Sequence, residues 1–344
     1  MLKDLRHAAR MLLHAKGWTA VVVLSLALGI GANTALFSAL DGMLLTKIPV
    51  KDPDTLVRLR WAGRNDMVTS SSDYGYTNKG PGGENVRTTF SYPMFQQFVA
   101  DNKTMSDLFA CAPFGRVNAV VDGQAELASA FISSGNYYQL LGVTARIGRT
   151  ITPEDDKPAA PPVAVISSKY WHSRFGTDPG ILGKTIRINN VLVTIVGVLP
   201  PEFTGAQQPG GDPSDLSVPL ALHPQVDTSV GPSRLSQPTY WWLQVMGRLK
   251  PGATAAQVHG NLEAVFQNTA RAGLDTYLKS LTESERAASG NRNRTEVPRL
   301  RVEPGARGIY DVSSNDLRSV TILSVIVALV LLIVCANVAN LLLS

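Results

Sequence analysis

Hydrophobic and polar positions along the chain follow three regimes. From Gly17 to Leu40, 24 consecutive residues carry no charge, and from Ser319 to Ser344 another 26 carry none. Each run exceeds the roughly 20 residues that cross about 30 Å of hydrocarbon as a helix. Between the two runs the composition is that of a soluble protein. The pattern therefore predicts transmembrane helices at 17–45 and 317–344, flanking a large extramembrane segment at 46–316. Ahead of the first run, "LKDLRHAARMLLH" spaces Leu2, Leu5, Ala9, Leu12 and Leu13 as on one helix. Residues 1–16 fit either an amphipathic helix lying on the inner membrane face or a plain basic flank.

Inside the large segment the period changes repeatedly. "DTLVRLRWA" predicts a strand, Gly63–Arg87 is polar and glycine-rich, and "SYPMFQQF" starts a helix with Pro93 in its first turn. Val117–Val121 and Glu126–Ile132 alternate on either side of Asp122-Gly123, a hairpin signal. "SSGNYYQLLGV" predicts a short helix, "VAVIS" a buried strand and "SKYWHSRF" a second helix. "KTIRINNVLVTIVGVLP" predicts a hairpin around Asn189-Asn190. After a Pro- and Gly-rich stretch, "YWWLQVMGRLK" predicts a strand. "AAQVHGNLEAVFQNTA" then places Val258, Leu262, Val265 and Phe266 on one helical face, and "PRLRVEP" is a last strand. Strand–helix–strand units at both ends with hairpins between them predict an α+β architecture in two lobes. The first and last units pack together, and residues of about 145–235 form the inserted lobe.

Charge orients the chain. Lys3, Arg6, Arg10 and Lys16 against Asp4 give +3 of the formal +5 within the first 16 residues. Short basic flanks stay cytoplasmic, so the large segment lies outside. A cleaved signal peptide fits less well, because the uncharged run is longer than an h-region of about 7–15 residues and no A-x-A site closes it. Cys111 sits in the large segment and Cys335 in the second apolar run, so no intrachain disulfide is expected.

Within this frame the chain offers few candidate sites of chemistry. Gly29-Ile30-Gly31 opens like a dinucleotide loop but lacks the third glycine and any polar turn. The same run carries Ala27, Gly31, Ala35 and Ala39 at every fourth position, a small-residue stripe where another membrane helix can approach. Gly183-Lys184-Thr185 imitates the end of a phosphate-binding loop, but Asp178 stands where the first glycine is required. The five histidines are scattered, and Glu154, Asp155 and Asp156 lack calcium-loop spacing and read as a solvated turn. Asn337 and Asn340, one turn apart in the second apolar run, favour hydrogen bonds to neighbouring helices. No enzyme signature, resident cofactor, metal site or nucleic-acid interface emerges.

Several blocks together carry a resemblance. "MLKDLRHAARMLLHAKGWTAVVVLSLALGIGANTALFSALDGMLL", "SGNYYQLLGVTARIGRTITPEDD", "VAVISSKYWHSRFGTDPGILGKTIRINNVLVTIVGVLPPEF", "VMGRLKPGATAAQV" and "LLIVCANVANLLLS" resemble MacB-like ABC transporter permeases, in order and spacing. The last block is similar to the first helix of an FtsX-type membrane unit. The resemblance implies a multi-pass protein of the bacterial inner membrane with a periplasmic core of porter-like and Sabre-like lobes. It also implies a charged cytoplasmic segment and two further helices beyond "NLLL". Its expected partners are an ABC ATPase that binds the ATP, membrane lipids, a second permease copy or half, and periplasmic or outer-membrane proteins. The alternative from another class is a membrane-anchored periplasmic adaptor or binding protein without transport activity.

Overall fold

The computed structural model describes residues 16–41, 46–74, 78–80, 82–229, 231, 233–310 and 314–343. The amphipathic segment predicted at the N-terminus lies outside them. In chain order the main helices are α1 (Lys16–Leu40), α2 (Tyr92–Asp101), α3 (Tyr137–Leu141), α4 (Ser168–Phe175), α5 (His223–Val226), α6 (Ala255–Ser280) and α7 (Ser314–Leu343). The main strands are β1 (Leu56–Ala62), β2 (Asn85–Arg87), β3 (Met105–Val121), β4 (Gln124–Ser133) and β5 (Val163–Ile166). They continue with β6 (Thr185–Ile188), β7 (Val191–Val198), β8 (Leu216–Pro219), β9 (Leu243–Leu249) and β10 (Arg299–Pro304). The chain divides into a helical unit, holding α1 and α7, and a larger unit, Lys47–Asp311.

Two strand–helix–strand units interlock at the base of the larger unit. β1 and β3 both run antiparallel to β9 between them, while β9 and β10 both run antiparallel to β1. The order β10-β1-β9-β3 is that of a split βαβ pair, with α2 and α6 as the two crossovers. Both helices start where the sequence supplies a cap. Ser91 accepts from the Met94 amide ahead of Pro93 in the first turn, and Thr254 and Gln257 form a reciprocal capping box. α6 then buries Val258, Leu262, Phe266, Ala270 and Leu274 at four-residue steps. Each large apolar side chain so buried contributes about 1.5–3 kcal/mol. Trp61, Trp241, Phe90 and Phe266 meet mostly edge to face beneath the helices, with Trp61 and Trp241 centroids 5.0 Å apart.

The long strand β3 leaves this sheet and closes a second structure. Its far half pairs with β4, β4 with β8, β8 with β5, β5 with β7, β7 with β6, and β6 returns to β3 through Ala119 and Val120. The ring is a closed six-stranded barrel, which removes the exposed edges of an open sheet. Alternate residues are buried in its interior, among them Ala119, Ala128, Ala130, Ile186, Ile188 and Ile195. Small and branched side chains together fill so narrow a barrel. Both hairpins read from the sequence are present, turning on Asp122 and Gly123 (φ 50° and 79°) and on Asn189 and Asn190 (φ 48° and 85°). The 145–235 block does not close on itself, because β3 and β4 supply two of its six strands. Where β3 passes from one structure to the other, its register with β4 shifts between Pro113 and Gly115.

In the helical unit, Thr19–Ser38 of α1 is long and apolar enough to cross a membrane, and the described apolar stretch of α7 is the shorter Val320–Ala336. The helices pack along Gly29 and Leu36 of α1, with Ser25 and Ala32 half-buried beside them, and along Val327 and Val334 of α7. A Cβ on Gly29 would lie 3.3 Å from Val334 Cγ2. The small-residue stripe predicted from the sequence does not form this contact. Ala27, Gly31 and Ala35 are exposed, and a Cβ on Gly31 would meet nothing within 4 Å. Steps of four drift around a helix by about 40° each, whereas the 4-3-4 spacing of Ser25, Gly29, Ala32 and Leu36 stays on one face. The side chains of Ala39, Asn337 and Asn340 lie outside the described residues.

Candidate functional site

The segment that follows α1 enters the larger unit at Ile48 and the segment that precedes α7 leaves it at Tyr310. These two segments meet on the face of the sheet opposite α2 and α6. Ile48 donates its amide to Ala306 O (3.0 Å), and Gly305 donates to Leu56 O (2.7 Å). Lys51 donates to Leu141 O at the end of α3 (2.9 Å). The outgoing segment is tied to a loop of the barrel side, with Ile309 donating to Ala206 O and Tyr310 to Gln207 O, each at 2.9 Å. Ala206 in turn donates to the Tyr137 hydroxyl of α3 (3.0 Å). Incoming segment, outgoing segment, α3 and the 203–207 loop thus form one hydrogen-bonded junction.

Arginines projecting from the strands hold it together. Arg248 of β9 donates from its side-chain nitrogens to Lys51 O (2.7 Å), Asp52 O (2.9 Å), Leu140 O (2.8 Å) and Thr55 Oγ1 (2.5 Å). Burial draws its guanidinium below the usual arginine value, and the nearby Asp52 opposes this. On β1, Arg58 and Arg60 are 7 % and 4 % exposed, and both donate to Glu303 Oε2 of β10 at 3.0 Å. Arg58 also reaches the carbonyls of Gly308 and Ile309, at 3.4 Å each. Fixed planar donors suit such sites, because one guanidinium satisfies several carbonyls without rearrangement.

Close backbone approach completes the junction. Gly308 has φ 91°, and a Cβ there would lie 2.5 Å from Ala206 O. Gly142, with φ 70° at the end of α3, would bring a Cβ within 2.5 Å of Lys51 Cβ. Behind these contacts lies an aromatic cluster. Tyr137 meets Phe109 at 4.8 Å and Tyr138 at 4.9 Å, both edge to face. Burial raises the hydroxyl pKa of both tyrosines, so they stay neutral donors and acceptors at any physiological pH.

The acidic turn is solvated at Glu154, while the half-buried Asp155 and Asp156 tie it down on the barrel side. Arg149 donates to Asp155 from two nitrogens at 2.6 and 2.9 Å, and the Thr152 amide adds a third bond. Burial opposes ionisation of Asp155, but these donors hold its carboxyl below the usual range. Asp156 accepts from the amides of Gly135 (2.9 Å) and Ala221 (2.6 Å), and burial pushes its carboxyl up in spite of them. Among the described residues no group of three His, Cys, Asp or Glu side chains could hold a metal ion.

The sequence pattern did not single out Arg58, Arg60, Arg248 or Glu303. In "LVRLRWA" the arginines alternate with Val57, Leu59 and Trp61, which reads as a solvent-facing row. The signal available was two charges on a strand whose other face is wholly apolar, next to a final strand carrying one acid on the matching face.

Residues 19–265 match the MacB-like periplasmic core domain family. The chain belongs to this family. The matched span runs from α1 into α6 and so includes the whole barrel and most of the junction. No curated protein matches the sequence. Similar solved structures include a domain assigned to a permease protein of Porphyromonas gingivalis, at 15% identity and TM-score 0.46, covering 78% of this chain and 98% of that one. The periplasmic region of MacB from Actinobacillus actinomycetemcomitans aligns at 12% identity and TM-score 0.44, covering 72% and 99%. The extracellular domain of the ABC-type transporter YknZ from Gram-positive bacteria aligns at 17% identity and TM-score 0.38, covering 64% and 94%.

Proposed function

We propose that this chain is the permease subunit, or the N-terminal portion of one, of a MacB/FtsX-type ABC transporter. In this reading it is a multi-pass protein of the bacterial inner membrane, with its large unit in the periplasm. A separate ATPase binds and hydrolyses ATP, and the chain carries the resulting motion to the periplasmic unit for export or efflux. Membership of the MacB-like periplasmic core domain family is the observation that carries the reading. The junction gives it a physical route. A displacement of the segments at Ile48–Asp52 or Gly308–Tyr310 would reach β1, β9 and β10 through arginine clamps and direct backbone bonds.

Partners follow from the same proposal. The stripe Ala27, Gly31, Ala35 and Ala39, which α7 leaves uncovered at its described positions, would receive a helix of a second permease copy or half. Asn337 and Asn340 would hydrogen-bond within that bundle. Membrane lipids would surround it, and periplasmic or outer-membrane proteins would meet the large unit.

The test is to co-express the chain with a partner ATPase and isolate the complex. Spin labels go on exposed positions of the two halves of the large unit, by His172→Cys on α4 and Ala264→Cys on α6, with Cys335→Ser removing the exposed native thiol. ATP turnover is expected to shift the distance between labels by several ångström. An unchanged distance in a complex that hydrolyses ATP would sink the mechanical reading. Recovery of periplasmic proteins without any ATPase would favour the adaptor instead.

A further inference from the structure

A cleft opens beside the junction, between the incoming segment, the end of α3 and the 200–203 turn. Its volume is about 410 Å³, within the span of small-ligand sites. Buried Val143 and Phe203 line it, and Pro49 and Pro200 add apolar wall. The cleft also carries one side chain of each charge, Lys51 on the incoming segment and Glu202 on the turn. Both are exposed, and among the described residues neither has an ion pair or a side-chain hydrogen bond. Lys47, on the same segment, does pair, with Asp54 at 2.6 Å. The backbones that carry the two free charges are anchored. Lys51 donates to Leu141 O and accepts from Arg248, while Phe203 donates to Pro200 O (3.1 Å) and closes the turn that holds Glu202. The Lys51 stem lies along Gly142, where a Cβ would come within 2.5 Å of Lys51 Cβ and 3.2 Å of its Cδ. Two unpaired opposite charges on fixed backbones therefore border one apolar-walled space.

We infer that this cleft binds a zwitterion, a primary ammonium and an anionic oxygen group a few bonds apart on an apolar stem. Glu202 receives the ammonium, Lys51 the anion, and the apolar walls the stem. Single exposed ion pairs are weak, so selectivity needs both charges and the walls together. Two sources carry this chemistry, the headgroup of an aminophospholipid and a free small zwitterion. The first rests on the membrane reading of α1, whose last residue stands nine positions before Pro49. An occupant would tie the incoming segment to the root of the 203–207 loop, which holds Ile309 and Tyr310 of the outgoing segment. It would thus brace both segments at once.

The full chain, purified in detergent, is offered equal amounts of phosphatidylethanolamine, phosphatidylcholine and phosphatidylglycerol with identical acyl chains. Native mass spectrometry reads which lipids it retains. The choline nitrogen cannot donate and phosphatidylglycerol has no ammonium, so phosphatidylethanolamine should be retained several-fold over both. Lys51→Ala and Glu202→Gln, both at exposed positions, should each bring the three lipids to parity, while Lys103→Ala should not. Phosphoethanolamine without tails is titrated in parallel. A lipid preference that both variants lose assigns the cleft to the headgroup. Phosphoethanolamine binding that both variants lose, with no lipid preference, assigns it to a free zwitterion. Equal retention of the lipids with no phosphoethanolamine binding, or binding unchanged in either variant, would overturn the proposal. Neither readout involves ATP, so its failure would leave the transport reading standing.

Discussion

A half-buried guanidinium that bonds several carbonyls at once tolerates few substitutes. Arg248 reaches three carbonyls and a hydroxyl at once, and removing it breaks all of these bonds together. Arg248→Ala should therefore destabilise the chain by about 1–3 kcal/mol, the range for losing hydrogen bonds to a charged group at a partly buried site. Arg248→Lys keeps the charge but offers one nitrogen instead of a fork, and should recover less than half of the loss. Urea denaturation followed by tryptophan fluorescence measures both. His223 provides a second test at this scale. Its ring is 0 % exposed, packs on Trp242 at 4.6 Å and lies 3.6 Å from Asp227. Burial lowers its pKa to about 4, against a weaker upward pull from Asp227. Between pH 6.5 and 4 the unfolded chain binds a proton that the folded chain refuses, so stability is full above pH 6.5 and falls as pH drops through this window. The loss is about 3 kcal/mol. His223→Phe should flatten the dependence of Tm on pH across this window, and a slope identical to wild type would refute the assignment. Neither residue was legible in the sequence. Arg248 reads as a polar step in "QVMGRLK" because its partners lie on distant parts of the chain, and His223 reads as one scattered histidine because Phe114 and Trp242, which bury it, share no local pattern with it.

Local elements were legible wherever a few adjacent residues determine them. Asp122-Gly123 and Asn189-Asn190 supply the positive φ angles that two-residue hairpins require, and both hairpins form. α6 declares itself by its cap and its four-residue apolar steps. Barrel closure was not legible, because Pro113 and Gly115 interrupt the alternation of β3 and hide the fact that its two halves are one strand. The face that α1 turns to α7 was hidden for a related reason. A four-residue repeat in α1 suggests a face, but which face is used depends on α7. The outgoing segment provides the element-scale test. Gly308→Ala would force a positive φ on a side chain and press its Cβ against Ala206 O. A loss of about 2 kcal/mol at this joint would raise its opening constant roughly thirtyfold. Amide exchange at Ile309 and Tyr310 should accelerate by that factor. Gly123→Ala carries comparable backbone strain in an open turn and should leave those two amides unchanged, which separates a local effect from general destabilisation.

Across the whole larger unit, one strand belongs to two structures. β3 pairs with β9 in the split βαβ sheet and with β4 and β6 in the barrel, and buried side chains from both halves form one continuous core. Melting either half would strip β3 of one partner and expose apolar surface of the other, so neither half has an independent route to stability. The larger unit should therefore unfold in one cooperative transition although it comprises two architectures. Its tryptophans allow the test, since Trp171 lies on α4 against the barrel, and Trp61, Trp241 and Trp242 lie in or beside the other half. A chain retaining Trp171 alone, with the others changed to Phe, should show the same urea midpoint by fluorescence and by far-ultraviolet circular dichroism. A Trp171→Phe chain should likewise show coincident transitions by the two probes. Two separated midpoints in either chain would mean that the barrel is a domain in its own right, able to move without dragging the sheet. Coincidence would mean that the two halves are stabilised together, so that a mechanical role would work through small rearrangements between them, of the kind the label distances read, and not through an independent barrel domain.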